Sequence, residues 1–207
     1  QNNAESIFEV QFSSATGGSN FQTSGYDGEP SAQWMLSSYR AQSFAPSGYG
    51  WGDFEVNKWL LTEFQKEKTV DGKDDPRLYY TLWYLHDGEN VYGTPASEFF
   101  SGRNKAKVFS KKYQHWRTKK GKNAEMDFTT DINYSLMRYA DVLLMYAECL
   151  NELGQTSLAY DYIQQVRNRA KLPDIRVTQP GMTKEQMRDQ IGHERLLELA
   201  LEGQRFD

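Results

Sequence analysis

Three glutamates spaced four residues apart near the end of the chain, Glu194, Glu198 and Glu202, are the first candidates for acid–base chemistry. Two carboxyl groups that face each other across a cleft can cleave a glycosidic bond. Carboxylates on one stripe of a helix do not face each other in this way, and they repel one another unless cations lie nearby. We therefore predict a structural ion-pair network rather than a catalytic pair. The arginines available as partners are Arg138, Arg167 and Arg169.

The three histidines form no metal-binding or catalytic motif. His86, His115 and His193 are scattered along the chain and have no partners at ligand spacing. His193 is followed by Glu194 but lacks the second histidine that a zinc-binding helix needs. Residues 48–52 lack the lysine of a phosphate-binding loop. We predict no catalytic residue, no metal and no cofactor.

A glycine-rich stretch over residues 43–53 contains aromatic residues suited to binding a saccharide. Glycines beside Tyr49 and Trp51 prevent regular secondary structure, so both rings should be presented to solvent on loop backbone. Sugars pack their C–H faces on aromatic planes, and loops on a rigid scaffold often carry binding residues. The predicted carbohydrate-binding residues combine rings with polar neighbours, and they are Tyr26, Trp34, Arg40, Tyr49, Trp51 and Asp53. Gln42 is a further polar neighbour. The alternative is that these rings cover an edge of the core.

A basic stretch from Arg103 to Lys122 contains nine lysines or arginines and no acid. Its charge and its aromatic residues, among them Trp116, would suit nucleic acid. The net charge of the whole chain is −4, which argues against that partner. We favour a solvated hairpin whose lysines keep an edge strand from pairing and whose aromatic rings face the core. An anionic ligand is the intermediate possibility.

The elements that must position these residues are helices. Residues 138–173 have apolar residues at three- and four-residue steps, which predicts two helices joined by a tight turn. Ala147 and Ala159 permit close approach of the two helices, Gly154 supplies the left-handed residue after the first, and Pro173 ends the second. This is the pattern of a tetratricopeptide-like hairpin, which is about 34 residues long. Two ordinary packed amphipathic helices are the alternative.

The rest of the chain predicts shorter elements. Thr183 caps a last helix ending near Gly203, with Gln186 in the capping-box position. Upstream, the patterns predict a half-buried strand over residues 5–12, a helix from Asp53 to about Lys66 and a strand over residues 78–84. In the hairpin, Thr156 or Ser157 should cap the second helix with its side chain. The first hairpin helix should be buried on both faces, with Cys149 in the core. No apolar run approaches the roughly 18 residues of a membrane span.

The segments Arg138–Glu148, Val166–Pro173 and Glu194–Arg205 resemble the SusD/RagB family of outer-membrane glycan-binding lipoproteins. Residues 5–12 and 75–78 are similar as well. Together these segments correspond to the later, C-terminal portion of such a protein, and we expect the chain to be a fragment. The resemblance implies a mainly α, SusD-like fold with a tetratricopeptide-like helix hairpin, long loops and a few short β-hairpins. It implies that residues 1–207 are the C-terminal part of one SusD-like domain. Within it, residues 1–137 would be a loop-rich, ligand-facing region, residues 138–173 the hairpin and residues 183–203 a terminal packing helix.

The resemblance also implies a function. The protein would be a non-catalytic binder on the external face of a Bacteroidota-type outer membrane, lipid-anchored in its full-length form. It would capture oligosaccharides or another nutrient and pass them to a SusC-like TonB-dependent transporter, with no nucleic acid as partner. Two alternatives remain at this point: a helical-repeat scaffold for a protein partner and, less favoured, a glycoside hydrolase.

Overall fold

The computed structural model describes residues 4–12, 38–126 and 130–203. The described part is mainly helical, as predicted, and its short strands pair as β1 with β6, β2 with β5 and β3 with β4. None of the described helices has the length and apolar character that crossing a membrane requires. In chain order the elements are β1 (Ser6–Val10), α1 (Arg40–Phe44), α2 (Lys58–Lys66), α3 (Pro76–Thr81), β2 (Leu82–Trp83), β3 (Asn90–Val91), β4 (Thr94–Pro95), α4 (Ala96–Phe99), β5 (Phe109–Ser110), β6 (Tyr134–Arg138), α5 (Tyr139–Glu152), α6 (Thr156–Arg169), α7 (Ile175–Thr178) and α8 (Lys184–Glu198).

The chain forms two compact units. We call one the helical unit; it takes the described parts of residues 2–8, 59–80 and 135–207. The other, the aromatic unit, takes the described parts of residues 9–58 and 81–134. Each unit has a core of its own, aliphatic in the first and built mainly from aromatic rings in the second.

Helices α5 and α6 form the predicted hairpin of the helical unit. Ala147 and Ala159 are fully buried where these helices pack, which confirms the role of the small side chains. Gly154 follows α5 with a φ of +77°, so the left-handed residue is also where the sequence predicts it. The Gly154 N–H donates to the Asn151 carbonyl at 3.0 Å and the Gln155 N–H to the Leu150 carbonyl at 2.8 Å, which completes a Schellman motif.

Some predicted details of the hairpin were wrong. No side chain caps α6, and the Thr156 hydroxyl donates to Asn151 Oδ1 at 2.8 Å instead. Helix α5 is buried on one side only, because α6 and α8 pack against the face that contains Ala147. Cys149 lies outside that contact and is exposed, so it is not a core residue. Tyr146 is also exposed, although its ring contacts that of Tyr162 in α6 at 4.6 Å.

Helix α8 begins as predicted and ends early. Thr183 and Gln186 form the expected capping box. The helix stops at Glu198 rather than near Gly203, and the turn that follows contains Leu201 with a φ of +64°. Glu202 therefore lies beyond the helix and not on its stripe.

Two other predicted elements were wrong. The helix expected from Asp53 begins at Lys58. The strand expected over residues 78–84 is helix α3 followed by the two-residue strand β2. Proline at the first helical position presets the φ angle of a helix. Leu78 and Leu82 are buried four residues apart whereas Tyr80 between them is exposed, which fits a helical turn better than a strand. The strand predicted within residues 5–12 is present as β1, but Phe8 is exposed.

The predicted ion-pair network joins α8 to the hairpin. Glu194 is fully buried, and its Oε2 atom lies 3.0 Å from Arg167 Nη1. Glu198 is also buried and lies 3.0 Å from Arg138 Nη1, with Arg169 as a second partner. These contacts confirm the structural interpretation of the glutamates, since each buried carboxylate is neutralised by guanidinium groups.

The sequence did not identify the central cation of this network, Arg77. Its Nη1 atom lies 2.6 Å from Glu194 Oε1 and 3.3 Å from Glu198 Oε2, and its Nη2 atom lies 2.6 Å from Asp75 Oδ2. Burial lowers the pKa of Arg77, but the charges of Glu194, Asp75 and Glu198 outweigh it and hold that pKa above its usual range. Burial raises the pKa of Glu198, and the charges of Arg169, Arg138 and Arg77 reverse that effect and lower it. Glu198 is thus an ionised counter-ion of these arginines.

Replacing Arg77 by alanine should lower the free energy of unfolding by about 3–5 kcal/mol, because it leaves buried carboxylates without their cation. Chemical denaturation of the purified chain measures this change. Arg188→Ala is the matched control on α8, since Arg188 makes an exposed pair with Glu152 at 2.7 Å and such pairs contribute little. Equal, small losses in both variants would contradict the assigned role of Arg77.

Candidate ligand-binding surface

Tyr49 belongs to the core of the aromatic unit. Its side chain is 6% exposed, its ring stacks on Tyr92 with centroids 5.0 Å apart, and its hydroxyl lies 2.6 Å from Thr94 Oγ1. The prediction that this ring is presented to solvent was therefore wrong. The reason is that this side of the loop faces other core rings, among them Phe99. Tyr49 anchors the loop from within.

The loop that follows Tyr49 is held against α1 by backbone hydrogen bonds. The Trp51 N–H donates to the Gln42 carbonyl at 2.8 Å, and the Asp53 N–H donates to the Ser43 carbonyl at 3.2 Å. Gly50 is required by this contact, because a Cβ atom there would lie 2.4 Å from the Gln42 carbonyl oxygen. The glycine therefore permits close approach of two backbone segments and does not make the loop a hinge.

Trp51 is presented to solvent by this fixed loop. Its side chain is 41% exposed, which confirms the predicted exposure. Its ring lies against Tyr39, with centroids 6.3 Å apart and planes 23° from parallel. An exposed indole on a backed, rigid loop is suited to stacking against a flat apolar face of a ligand. Its role in binding stays a prediction.

A second set of rings continues from α1. Phe44 stacks on Phe54 at 4.9 Å, and Phe54 is 52% exposed. Phe44 also contacts Tyr113, at 6.1 Å. Tyr113 has a φ of +64°, an unusual value for a bulky residue that often marks a functional site. We call the following set the aromatic surface: Tyr39, Arg40, Phe44, Trp51, Phe54, Tyr113 and Tyr134.

Arg40 lies between two of these rings. Its Cζ atom is 3.7 Å from the ring centroid of Tyr134 and 4.7 Å from that of Tyr113. The Nη1 atom is buried and has no hydrogen-bond partner among the residues that the structure describes. Burial lowers the pKa of Arg40, and the two tyrosines raise it by less. The guanidinium remains charged at neutral pH, because arginine loses its proton only in strong base.

The remaining predicted residues are distributed as follows. Asp53 is exposed and follows Trp51 on the loop, so its carboxylate is available to accept hydrogen bonds. Gln42 is buried, which removes it from contact with a ligand on the surface. Tyr26 and Trp34 lie outside the described residues. The structure thus brings Arg40, Trp51 and Asp53 into one unit.

The basic stretch is only partly a solvated hairpin. Phe109 in β5 is buried, as predicted for its aromatic residues, and β5 pairs antiparallel with β2. Lys111 is buried as well, which contradicts the prediction of solvated lysines. It forms an ion pair with Glu89 and lies 5.0 Å from the ring centroid of Trp116. The aromatic core therefore encloses one positive charge together with its counter-ion.

A buried carboxylate supports the loop from the other side. Glu125 accepts hydrogen bonds from the Tyr92 hydroxyl at 2.8 Å and from the His115 N–H at 2.6 Å. Its own N–H donates to the Tyr49 carbonyl at 2.9 Å. No local pattern of residues predicts this arrangement, because its members are far apart along the chain. In the described part of the chain, no cluster of three or more histidines, cysteines or acids is suited to a metal ion.

His115 links two acids across this support. Its Nδ1 atom lies 2.9 Å from Glu125 Oε2, and its Nε2 atom lies 3.2 Å from Asp131 Oδ1. Burial lowers the pKa of His115, but the hydrogen bond and charge of Glu125 and the hydrogen bond of Asp131 outweigh it, so the pKa lies above its ordinary value. Protonated His115 can donate to both carboxylates at once.

The chain is similar to a known protein family and to solved structures. The model of the SusD family matches residues 4–207. A solved SusD superfamily protein from Bacteroides vulgatus is 30% identical with a TM-score of 0.79, over 99% of this chain and 39% of that one. A solved SusD-like carbohydrate binding protein from Bacteroides fragilis is 25% identical with a TM-score of 0.66, over 97% of this chain and 40% of that one.

A curated relative agrees with the solved structures. SusD-like protein P38 from Formosa agariphila is 42% identical over 81 residues, which are 37% of this chain and 16% of the relative. The chain thus spans about two fifths of the length of each solved relative, 39% and 40%. The match to the curated relative covers about a sixth of its length.

Gly50→Ala should destabilise the chain by about 1–3 kcal/mol, because the added methyl group overpacks the contact between the loop and α1. Gly192→Ala is the opposite control: nothing lies within 4 Å of a Cβ atom at this position in α8, and alanine favours a helix by up to about 1 kcal/mol. Urea denaturation measures both effects. Wild-type stability in Gly50→Ala would show that the loop is not tightly packed.

The stabilisation contributed by His115 should decrease as the pH rises. The folded state binds the proton more tightly than the unfolded chain, so the contribution is complete below the ordinary pKa of about 6.5 and is lost as the pH passes through the raised pKa. The difference in free energy of unfolding between wild type and His115→Gln, measured from pH 5 to pH 9, should therefore shrink with increasing pH. A constant difference would show that the proton on His115 does not stabilise the fold.

Proposed function

The chain belongs to the SusD family, and on that premise we propose that the protein captures oligosaccharides at the cell surface without catalysis and delivers them to a SusC-like TonB-dependent transporter. The Bacteroides fragilis relative is described as carbohydrate binding, which supports the ligand class. Because the chain spans 40% of that relative, the activity of the whole protein is part of the proposal.

One observation of this structure supports saccharide binding: a solvent-exposed Trp51 ring held on a rigid loop. Hydrogen bonds to α1 hold the backbone of this loop, so little backbone entropy is lost on binding. Sugar rings combine apolar C–H faces with hydroxyl groups, and the aromatic surface offers both kinds of partner. Trp51 and Phe54 contribute exposed rings, and Arg40 and Asp53 contribute polar groups.

The predicted site residues then have distinct roles. Trp51 is the stacking platform and Tyr39 backs its ring. Asp53 accepts hydrogen bonds from sugar hydroxyls, and Arg40 donates them. Tyr49 supports the loop from the core and does not contact the ligand.

The remaining parts of the proposal concern residues and partners beyond this surface. Contacts by Tyr26 and Trp34 stay predictions, as does the ligand-facing role of residues 1–137. The site uses no metal and no cofactor, because stacking and hydrogen bonds suffice for a neutral or charged saccharide. In its full-length form the protein is lipid-anchored on the external face of the outer membrane and captures nutrients there. Membership of the SusD family and the relatives from Bacteroides and Formosa support this role.

Trp51→Ala should weaken binding of a saccharide at least tenfold, which corresponds to about 1.4 kcal/mol, because the stacking face is removed. Isothermal titration with the tightest-binding oligosaccharide from a glycan array measures the loss. Trp51→Phe should keep part of the affinity.

Trp59→Ala serves as the matched control, because Trp59 is an exposed tryptophan of the helical unit and should be replaceable without effect. Unchanged affinity in Trp51→Ala would remove Trp51 from the site. Equal losses in both tryptophan variants would point to a general loss of folding.

A further inference from the structure

Among the residues that the structure describes, no acid pairs with Arg40, which distinguishes it from the buried arginines of the helical unit. Arg77, Arg138 and Arg167 each pair with carboxylates within 3.0 Å. The guanidinium of Arg40 instead lies over the tyrosine rings described above, and its buried Nη1 atom is without a hydrogen-bond partner in the described part of the chain. Within the described ranges, the positive charge of Arg40 therefore has no carboxylate as counter-ion.

Such a charge is costly unless something binds it. A partly buried cation loses hydration, and the faces of aromatic rings return only part of that loss. A planar guanidinium carries N–H donors in a fork that matches a carboxylate or sulfate group. Arg40 as a whole is only partly buried, so a ligand would be met by its donors other than the buried Nη1. Stacking on Tyr134 fixes the plane of the fork, so little entropy is lost when an anion binds.

The charges around Arg40 are consistent with an anionic ligand. Tyr113 and Tyr134 are the only titratable groups in the described chain that act on its pKa. Two other acids of the aromatic unit already have cationic partners: Glu55 pairs with Lys107 at 2.6 Å, and Glu89 pairs with Lys111. Asp53 is exposed and lies on the Trp51 loop, where it can accept from hydroxyl groups of the same ligand.

We propose that the saccharide bound on the aromatic surface is anionic, and that its carboxylate or sulfate group pairs with the Arg40 guanidinium while a sugar ring stacks on Trp51. The inference rests on the proposed function and adds the ligand class to it. Arg40 is then the residue that distinguishes charged from neutral glycans.

A glycan array with neutral, uronic-acid and sulfated oligosaccharides, probed with the whole chain, gives the first test. The tightest binder should be acidic, and its carboxyl-reduced or desulfated counterpart should bind at least tenfold more weakly in isothermal titration at low salt. The two counterparts separate a carboxylate from a sulfate as the recognised group. The preference should decrease in 0.5 M NaCl, because salt screens a solvent-accessible ion pair.

Arg40→Gln should abolish this preference, because the affinity for the acidic ligand should fall to that for its neutral counterpart. Arg103→Gln, at an exposed arginine of the same unit, should preserve the preference. Near-ultraviolet circular dichroism verifies that the aromatic surface is intact in each variant. A neutral glycan as the tightest binder, or equal affinity of wild type for both counterparts, would overturn the inference and leave the proposed function standing. Binding to no glycan at all would overturn the proposed function itself.

Discussion

The pairing of buried charges fixes the helical unit. Glu194 and Glu198 lie on the inner face of α8, where an unpaired carboxylate would be too costly to bury. Their guanidinium partners come from α3, β6 and α6, so four separate segments must be in register before the charges are neutralised. Apolar packing alone would tolerate small shifts between these helices, whereas a network of directed hydrogen bonds does not.

The aromatic unit meets a different requirement, which is to hold a large ring in solvent without making it mobile. It does so by burying one ring of the loop and exposing the next. Tyr49 is part of the core, and the backbone of Trp51 is bonded to α1. The glycine between them is needed for contact rather than for flexibility. Rigid presentation of this kind favours binding because the ordering cost is met during folding.

The two units also treat arginine differently. In the helical unit each buried guanidinium serves carboxylates of the same unit, and the result is a stable framework. In the aromatic unit Arg40 is held by the faces of tyrosine rings and retains its capacity to donate hydrogen bonds. The same side chain thus acts as a structural cation in one unit, and in the other it is the group that we propose to bind an anionic ligand.

The sequence by itself determined the features that depend on neighbouring residues. Helical periodicity located α5 and α6, Gly154 marked the turn between them, and Thr183 with Gln186 marked the start of α8, because caps and amphipathic faces are local. The four-residue spacing of three glutamates also predicted cationic partners, and the three predicted arginines are confirmed as partners.

Only the tertiary structure decided which distant groups meet. Arg77 is 117 residues from Glu194, and the two tyrosines around Arg40 come from separate segments, so no spacing in the sequence connects them. Tyr49 and Trp51 share one glycine-rich loop, yet one is buried and the other exposed, because exposure depends on which side of the loop the core occupies. Local patterns fix local geometry, whereas burial and charge pairing are properties of the packed molecule.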